Sequence, residues 1–434
     1  RSTHCISSAA SDVYKRQMGY YRVTGGGTIG GEYTVRGSKN AVLPILAASI
    51  LSGDEVVLEN VPHITDVFVS LEILEELGCK TKLEGRTLTI DSRNIEKTEI
   101  SEEMVGKMRS SILYLGALLG RTKKASLGHP GGCTIGRRPI DLHLRAFEKM
   151  GVRIREENEI FHCEAPLLLG YHIYLEYPSV GATENILLLS VKAEGTTVIH
   201  NAAREPEIVA LARFLRACGA EIYGEGTPTI MVEGVRKLHG AVFEVPFDRI
   251  EAGTFLCAAA MTGGKLYLHG AEKQYMEQTL EVLEQAGCGL RYEEDAVYLQ
   301  APTRLLSDFT LATGPYPAFP TDMQPMVMSL LTLAKGTCMM SETVFEARFR
   351  HVAELCRMGA NIQVHGRNAA VFGVEKLHGA KVRATDLRSG AALLLAALAA
   401  EGETIVEGSA FVERGYEKLE DALTFLGGRV QLVS

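Results

Sequence analysis

Apolar positions along this chain fall into two kinds of segment that alternate. Six stretches are apolar at almost every position: Ala41–Leu51, Ile112–Leu119, Ile186–Val191, Thr254–Met261, Met326–Leu333 and Ala391–Ala400. A helix that is apolar all round is a buried helix. Other stretches, such as Asp66–Leu77 and Tyr416–Leu426, are amphipathic and predict surface helices. Each amphipathic stretch ends on Gly and is followed by alternating, β-prone residues.

The alternation is a repeat. Leu-Glu-Glu-Leu-Gly78, Phe-Glu-Lys-Met-Gly151, Leu-Arg-Ala-Cys-Gly219, Leu-Glu-Gln-Ala-Gly287, Leu-Cys-Arg-Met-Gly359 and Leu-Thr-Phe-Leu-Gly427 recur at spacings of 73, 68, 68, 72 and 68 residues. Gly directly after a helical run is the C-terminal stop signal, because Gly takes positive φ without a steric cost. A second series (Gly53, Gly120, Gly195, Gly264, Gly336, Gly402) precedes short β-prone runs, and Gly234–Ala241 nearly repeats as Gly373–Ala380. Each unit therefore reads strand, helix, strand, helix, strand pair. The buried helices need one another as a core, so the pattern predicts an α/β fold of two domains. Each domain holds three βαβαββ units, helices inside and sheets outside.

Composition narrows the function. The chain has 434 residues, 46% hydrophobic and 23% charged, with a formal charge of −8. That excludes a disordered chain and argues against a general nucleic-acid or anionic-membrane surface, while leaving room for a local basic pocket. No apolar stretch is long enough to span a bilayer. Residues 1–17 lack the apolar run of a secretion signal and read as a polar tail outside the fold, either disordered or non-native. None of the nine cysteines forms a C-x-x-C pair, which points to reduced thiols, a cytoplasmic setting and no zinc ribbon. Phosphate-loop and nucleophile-elbow motifs are absent.

Candidate chemistry collects where the buried helices begin. The six entries carry Lys39-Asn40, Arg109, Ser179-Val180-Gly181-Ala-Thr183, Asp248-Arg249, Thr-Asp322 and Asp386-Leu-Arg388. Ser, Thr, Asp and Asn there can act as caps. Lys39, Arg109, Arg249 and Arg388 oppose the helix dipole, which predicts an anion near them. One segment interrupts the repeat: Gly128-His129-Pro-Gly-Gly-Cys133-Thr-Ile-Gly-Arg137-Arg138-Pro139-Ile140-Asp141-Leu142-His143. A Gly/Pro-rich loop is a candidate lid, and its cations favour the thiolate of Cys133. His129 and His143 read as surface or cap residues.

These motifs resemble the bacterial UDP-N-acetylglucosamine 1-carboxyvinyltransferases of the enolpyruvyl transferase superfamily. The match runs over Gly37-Ser-Lys39-Asn40-Ala-Val-Leu-Pro44, the Pro-Gly-Gly-Cys133 loop, Pro178-Ser-Val-Gly-Ala-Thr183, Ala203-Arg-Glu-Pro-Glu207, Phe319-Pro-Thr-Asp322, Thr385-Asp-Leu-Arg388 and Glu413-Arg414-Gly-Tyr416. It implies two domains, 39–246 and 18–38 plus 247–434, of three repeats each. It also implies transfer of the enolpyruvyl group of phosphoenolpyruvate to the 3′-hydroxyl of UDP-N-acetylglucosamine with release of phosphate, the first committed step of peptidoglycan synthesis. Both partners are small molecules, and no metal or organic cofactor is implied. Cell-wall biogenesis, cell shape, cell division and sensitivity to fosfomycin come with the resemblance.

By the same resemblance Cys133 is the proton donor and Asp322 the base that takes the sugar-hydroxyl proton. Lys39, Arg138 and Arg414 hold the phosphate and carboxylate of phosphoenolpyruvate, supported by Asn40, Arg109 and Arg388. Arg138, Pro139, Ile140, Asp141, Leu142, Ser179, Val180, Gly181 and Val344 bind the UDP-sugar. Arg348 is expected either to support closure or to form a surface ion pair. Tyr177 stands where some relatives have a Lys. The competing readings are an enolpyruvylshikimate phosphate synthase, which lacks the Cys loop, and a non-catalytic UDP-sugar-binding paralogue.

Overall fold

The computed structural model describes residues 19–131, 135 and 140–433. They build six four-stranded sheets with one strand order. In one of them His172–Tyr174 runs parallel to Thr196–His200, which pairs antiparallel with Thr229–Glu233, which in turn pairs antiparallel with Glu221–Tyr223. The fold is the α/β repeat that the pattern predicted.

The six apolar stretches lie in buried helices: α1 (Lys39–Ser49), α2 (Leu113–Thr122), α3 (Val180–Ser190), α4 (Arg249–Met261), α5 (Gln324–Leu331) and α6 (Leu387–Ala399). The residues cluster into two units. One comprises 37–131 and 140–247, the other 19–36, Ile135 and 248–433. In the first, α2 packs against α1 and α3; in the second, α4, α5 and α6 pack against one another. Close helix approach is written into Gly116 of α2, where a side chain would meet the Asn185 carbonyl oxygen of α3 at 2.6 Å. No helix among the described residues is long and apolar enough to cross a membrane.

Two sheets borrow their first strand. Gly31–Thr34, the strand that leads into α1, pairs with Lys265–His269, while Val242–Glu244, which leads into α4, pairs with Glu55–Glu59. A third sheet takes its closing strand, Tyr20–Thr24, from the start of the chain, between Glu403–Glu407 and Val430–Val433. Each strand is short and half-buried, with alternate side chains on the helices, so a distant segment of the same pattern serves equally well.

All six repeat glycines close their helices in the same way. Gly78, Gly151, Gly219, Gly287, Gly359 and Gly427 have φ between 93° and 102°. In each case the Gly N–H bonds back three residues and the next N–H bonds back five, as in Cys288 N–H to Leu283 O and Gly287 N–H to Glu284 O. The second glycine series is less uniform. Gly120 lies inside α2 and Lys123 takes the positive φ instead; beside Gly264 it is Gly263.

Candidate functional site

In the unit holding α1–α3, helices α1 and α3 begin before their apolar runs, and a polar 3₁₀ turn, Arg109–Ile112, leads into α2. Ser38 caps α1 through Ala41 N–H, which puts Lys39 and Asn40 in the first turn. The Lys39 ammonium meets Asp66 at 2.7 Å. Asp66 opens the amphipathic helix Thr65–Glu76 and is buried. The anion expected beside Lys39 is thus supplied at least in part by the protein itself, and Asp66 carried no signal that sequence reasoning used. Arg109 begins the short 3₁₀ turn Arg109–Ile112, and its Nη1 reaches the Pro130 carbonyl at 3.5 Å.

Ser179 caps α3, so Val180 and Gly181 form its first turn. Against that turn lies His143, which is buried; the sequence reading of a surface or cap residue does not hold. The Asn185 amide of α3 donates to His143 Nδ1 at 3.0 Å and to the Ile112 carbonyl at 2.9 Å, and its oxygen accepts from Gly116 N–H at 2.9 Å. This makes Nε2 the protonated ring nitrogen. Burial, then Arg109, push the imidazole pKa down to about 3. A side chain at Gly181 would lie against the ring at 3.4 Å, at the edge of ordinary van der Waals contact. Ile140 is buried at the start of the helix Asp141–Lys149, with Leu142 half-buried and Asp141 paired to Arg145 at 3.2 Å. Cys133, Arg138 and Pro139 lie outside the described residues.

In the other unit the centre is Asp322. It precedes α5 without capping it: the cap position is Met323, and α5 has no side-chain cap. The capping alternative for Asp322 therefore falls. Its carboxylate is instead held by two guanidinium groups. Arg388 donates Nε and Nη2 to Oδ2 at 3.2 and 2.9 Å, and Arg348 donates Nη2 to Oδ1 at 3.0 Å. Asp322 stays 28% exposed while the arginine side chains are 2–3% exposed. Arg348 is a buried residue, so the expectation of a surface ion pair is wrong.

The surroundings keep these groups in place. Asp386 caps α6 by accepting from Arg388 and Ser389 N–H, in a box completed by the Ser389 hydroxyl. Tyr416 lies 5.4 Å from the Arg388 guanidinium, and its hydroxyl is hydrogen-bonded to Thr254 of α4. Burial works against the Arg388 charge, and Asp322, Tyr416 and Asp248 together more than restore it, so the guanidinium stays protonated. Glu342, buried, accepts from the Thr321 hydroxyl and from Val344 and Phe345 N–H, which fixes Val344 beside the Asp322 segment. Arg414 follows the short helix Ser409–Glu413 and is half-buried. Asp248 caps α4, and Arg249 lies 5.8 Å from the Tyr316 ring. A carboxylate open to solvent on one side and fixed by cations on the other can receive a proton from a hydroxyl laid against it.

The model of the EPSP synthase (3-phosphoshikimate 1-carboxyvinyltransferase) family matches residues 23–423. The UDP-N-acetylglucosamine 1-carboxyvinyltransferase 2 of Caldanaerobacter subterraneus subsp. tengcongensis is 48% identical over 95% of this chain and 99% of its own. The UDP-N-acetylglucosamine 1-carboxyvinyltransferase of Nitratidesulfovibrio vulgaris strain Hildenborough is 46% identical over 94% of this chain and 98% of its own. Among solved structures, the enolpyruvyl transferase NikO from Streptomyces tendae superposes with a TM-score of 0.88 at 27% identity, covering 96% of this chain and 99% of that one. An EPSP synthase from Acinetobacter baumannii gives 0.74 at 18% identity, covering 96% and 100%, a likeness of fold alone.

Proposed function

This chain belongs to the EPSP synthase family, and from that premise we propose that it transfers the enolpyruvyl group of phosphoenolpyruvate to the 3′-hydroxyl of UDP-N-acetylglucosamine. The observation that carries the choice of acceptor is sequence identity of 46–48% over nearly the whole chain to relatives bearing that activity in their names. The product is the enolpyruvyl ether that begins peptidoglycan precursor synthesis in the bacterial cytoplasm.

The chemistry asks for an acid, a base and cations. Cys133 gives a proton to C3 of phosphoenolpyruvate, which builds positive character at C2. Asp322 takes the proton of the sugar 3′-hydroxyl as its oxygen bonds to C2, and a tetrahedral ketal results. Loss of a C3 proton and departure of phosphate then restore the vinyl group. Lys39, Arg138 and Arg414 hold the phosphate and carboxylate, with Asn40, Arg109 and Arg388 in support; charge-assisted hydrogen bonds contribute about 1.5–3 kcal/mol each. Arg138 to Leu142, Ser179 to Gly181 and Val344 bind the UDP-sugar. What supports Asp322 in its role is its fixed, half-open carboxylate; what supports Lys39 is a charge held at the start of α1 by Asp66.

The deciding experiment is phosphate release from phosphoenolpyruvate with each acceptor in turn. UDP-N-acetylglucosamine supports release. Release with shikimate 3-phosphate in its place would assign the chain to the other branch of the family, and release with neither would make it a binding protein. Cys133→Ser loses turnover and becomes insensitive to fosfomycin alkylation.

A further inference from the structure

We propose that Asn185 is the positioning residue of the sugar-nucleotide subsite, a buried amide that fixes three ligand-binding segments against one another. The inference rests on the reading of UDP-N-acetylglucosamine as the acceptor. Asn185 is 0% exposed, so it meets no ligand itself and acts through its neighbours. It stands one turn beyond Gly181 on the same face of α3.

The backbone dictates which way the amide points. An N–H only donates and a carbonyl only accepts. Oδ1 therefore takes the Gly116 N–H at 2.9 Å, and Nδ2 gives one proton to the Ile112 carbonyl at 2.9 Å. The second Nδ2 proton goes to His143 Nδ1 at 3.0 Å, which must be a bare acceptor. The ring proton is thereby placed on Nε2, the nitrogen that a Cβ at Gly181 would meet at 3.6 Å.

Each of these bonds secures a different segment. Ile112 closes the 3₁₀ turn that Arg109 opens, and Gly116 lies four residues on, in the first turn of α2. The amide clamps the joint between turn and helix, and with it the backbone that carries Arg109. His143 follows Asp141 and Leu142 in the first turn of their helix. The third segment, Val180–Gly181, opens the helix that bears Asn185 itself. The arrangement requires glycine at 116, because a Cβ there would stand 2.3 Å from Asn185 Oδ1. It also requires a short amide, since an ionised Asp offers no donor and Leu offers neither donor nor acceptor.

The experiment combines titration calorimetry with UDP-N-acetylglucosamine and steady-state kinetics. Absence of binding to the parent would remove the reading of the acceptor, and the inference would fall with it. Given binding, Asn185→Leu is expected to weaken it about tenfold or more and to raise the KM for the sugar nucleotide in proportion, with kcat within about threefold of the parent. The variant folds because Gly116 N–H and the Ile112 carbonyl stand at the spacing at which a helix bonds such groups to each other. Parental affinity in the folded variant, or a lost kcat with KM intact, would overturn the proposal. Nitrogen NMR of labelled histidines, assigned with His143→Gln, reads the contact directly. The parent carries the His143 proton on Nε2, and Asn185→Leu shifts both ring nitrogens; a parent protonated on Nδ1 would also overturn the proposal. If Asn185→Leu does not fold, Asn185→Asp keeps the size and the acceptor for Gly116 N–H but loses both donors. The same loss of affinity is expected from it, and parental affinity would again overturn the proposal.

Discussion

Lys39 and Asp66 form an ion pair of 2.7 Å in which the lysine side chain is 13% exposed and the aspartate 3%. The lysine stands in the first turn of α1, where the helix dipole disfavours a cation, and the aspartate offsets that cost. Asp66→Asn removes the negative charge and leaves the ammonium poorly solvated. Breaking such a pair from one side costs about 3 kcal/mol, the lower end of the range for buried pairs, because Lys39 keeps some access to water. Denaturant unfolding measures this, and an unchanged midpoint would show that the pair contributes nothing. In kinetics the same variant raises the KM for phosphoenolpyruvate about tenfold, with a smaller change for the sugar nucleotide.

His143 makes stability depend on pH from the acid side. Its folded pKa is about 3, against 6.5 for the free side chain, because burial and then Arg109 disfavour the imidazolium. Between those values the unfolded chain takes up a proton that the native protein refuses. The contribution is complete above about pH 6.5 and is lost as pH falls towards 3, at up to about 1.4 kcal/mol per pH unit. Urea unfolding from pH 4 to 7 is expected to lose about one proton's worth of slope in His143→Gln. Parallel slopes in the two proteins would place the acid sensitivity elsewhere.

Some of this was legible in the sequence, and the division follows the range of the forces. The Gly stops are local: Gly after Leu-Glu-Gln-Ala or Leu-Arg-Ala-Cys needs only its own helix to accept the closing bonds, and all six do so. The buried helices were legible from their apolar runs, but not their starts. Lys39, Val180 and Arg249 lie inside helices that begin several residues before the apolar run, because caps at Ser38, Ser179 and Asp248 hold polar first turns. The exchange of Gly31–Thr34 and Val242–Glu244 between sheets had no local signal at all. Nor did the partners that define the site. Asp66 is 27 residues from Lys39, Asn185 is 42 from His143, and Asp322 is 66 from Arg388. Arg348 was seen as a cation, but a cation in a sequence does not announce its burial.

Glu251 works in the opposite pH direction from His143. It lies buried in the first turn of α4, where its Oε2 accepts from Arg36 N–H at 2.7 Å. Burial, then Asp248, raise its pKa from 4.5 to about 8. The native protein keeps a proton that the unfolded chain releases above about pH 4.5. This contribution is therefore complete below 4.5 and is lost as pH rises through 8. Glu251→Gln keeps the acceptor for Arg36 and removes the titration. The variant is expected to hold its stability between pH 6 and 8.5 where the parent declines, and an equal decline in both would assign the alkaline sensitivity to another group.

Two glycines two residues apart separate backbone strain from packing. Gly287 has φ of 93° at the end of the helix Lys273–Gln285, and a side chain there would find its nearest neighbour, Pro302, at 3.6 Å. Space is available, so the cost of Gly287→Ala is the left-handed backbone alone, about 1–2 kcal/mol. Gly289 opens the next strand without a positive φ, and its nearest neighbour would be Gln300 at 3.8 Å. Gly289→Ala relieves no strain and creates none, while it narrows the unfolded ensemble, so it is neutral or stabilising by up to about 1 kcal/mol. Thermal unfolding of the two variants is expected to move in opposite directions or to leave the second unchanged. Equal destabilisation of both would mean that the sheet edge, not the helix stop, sets the requirement for glycine here.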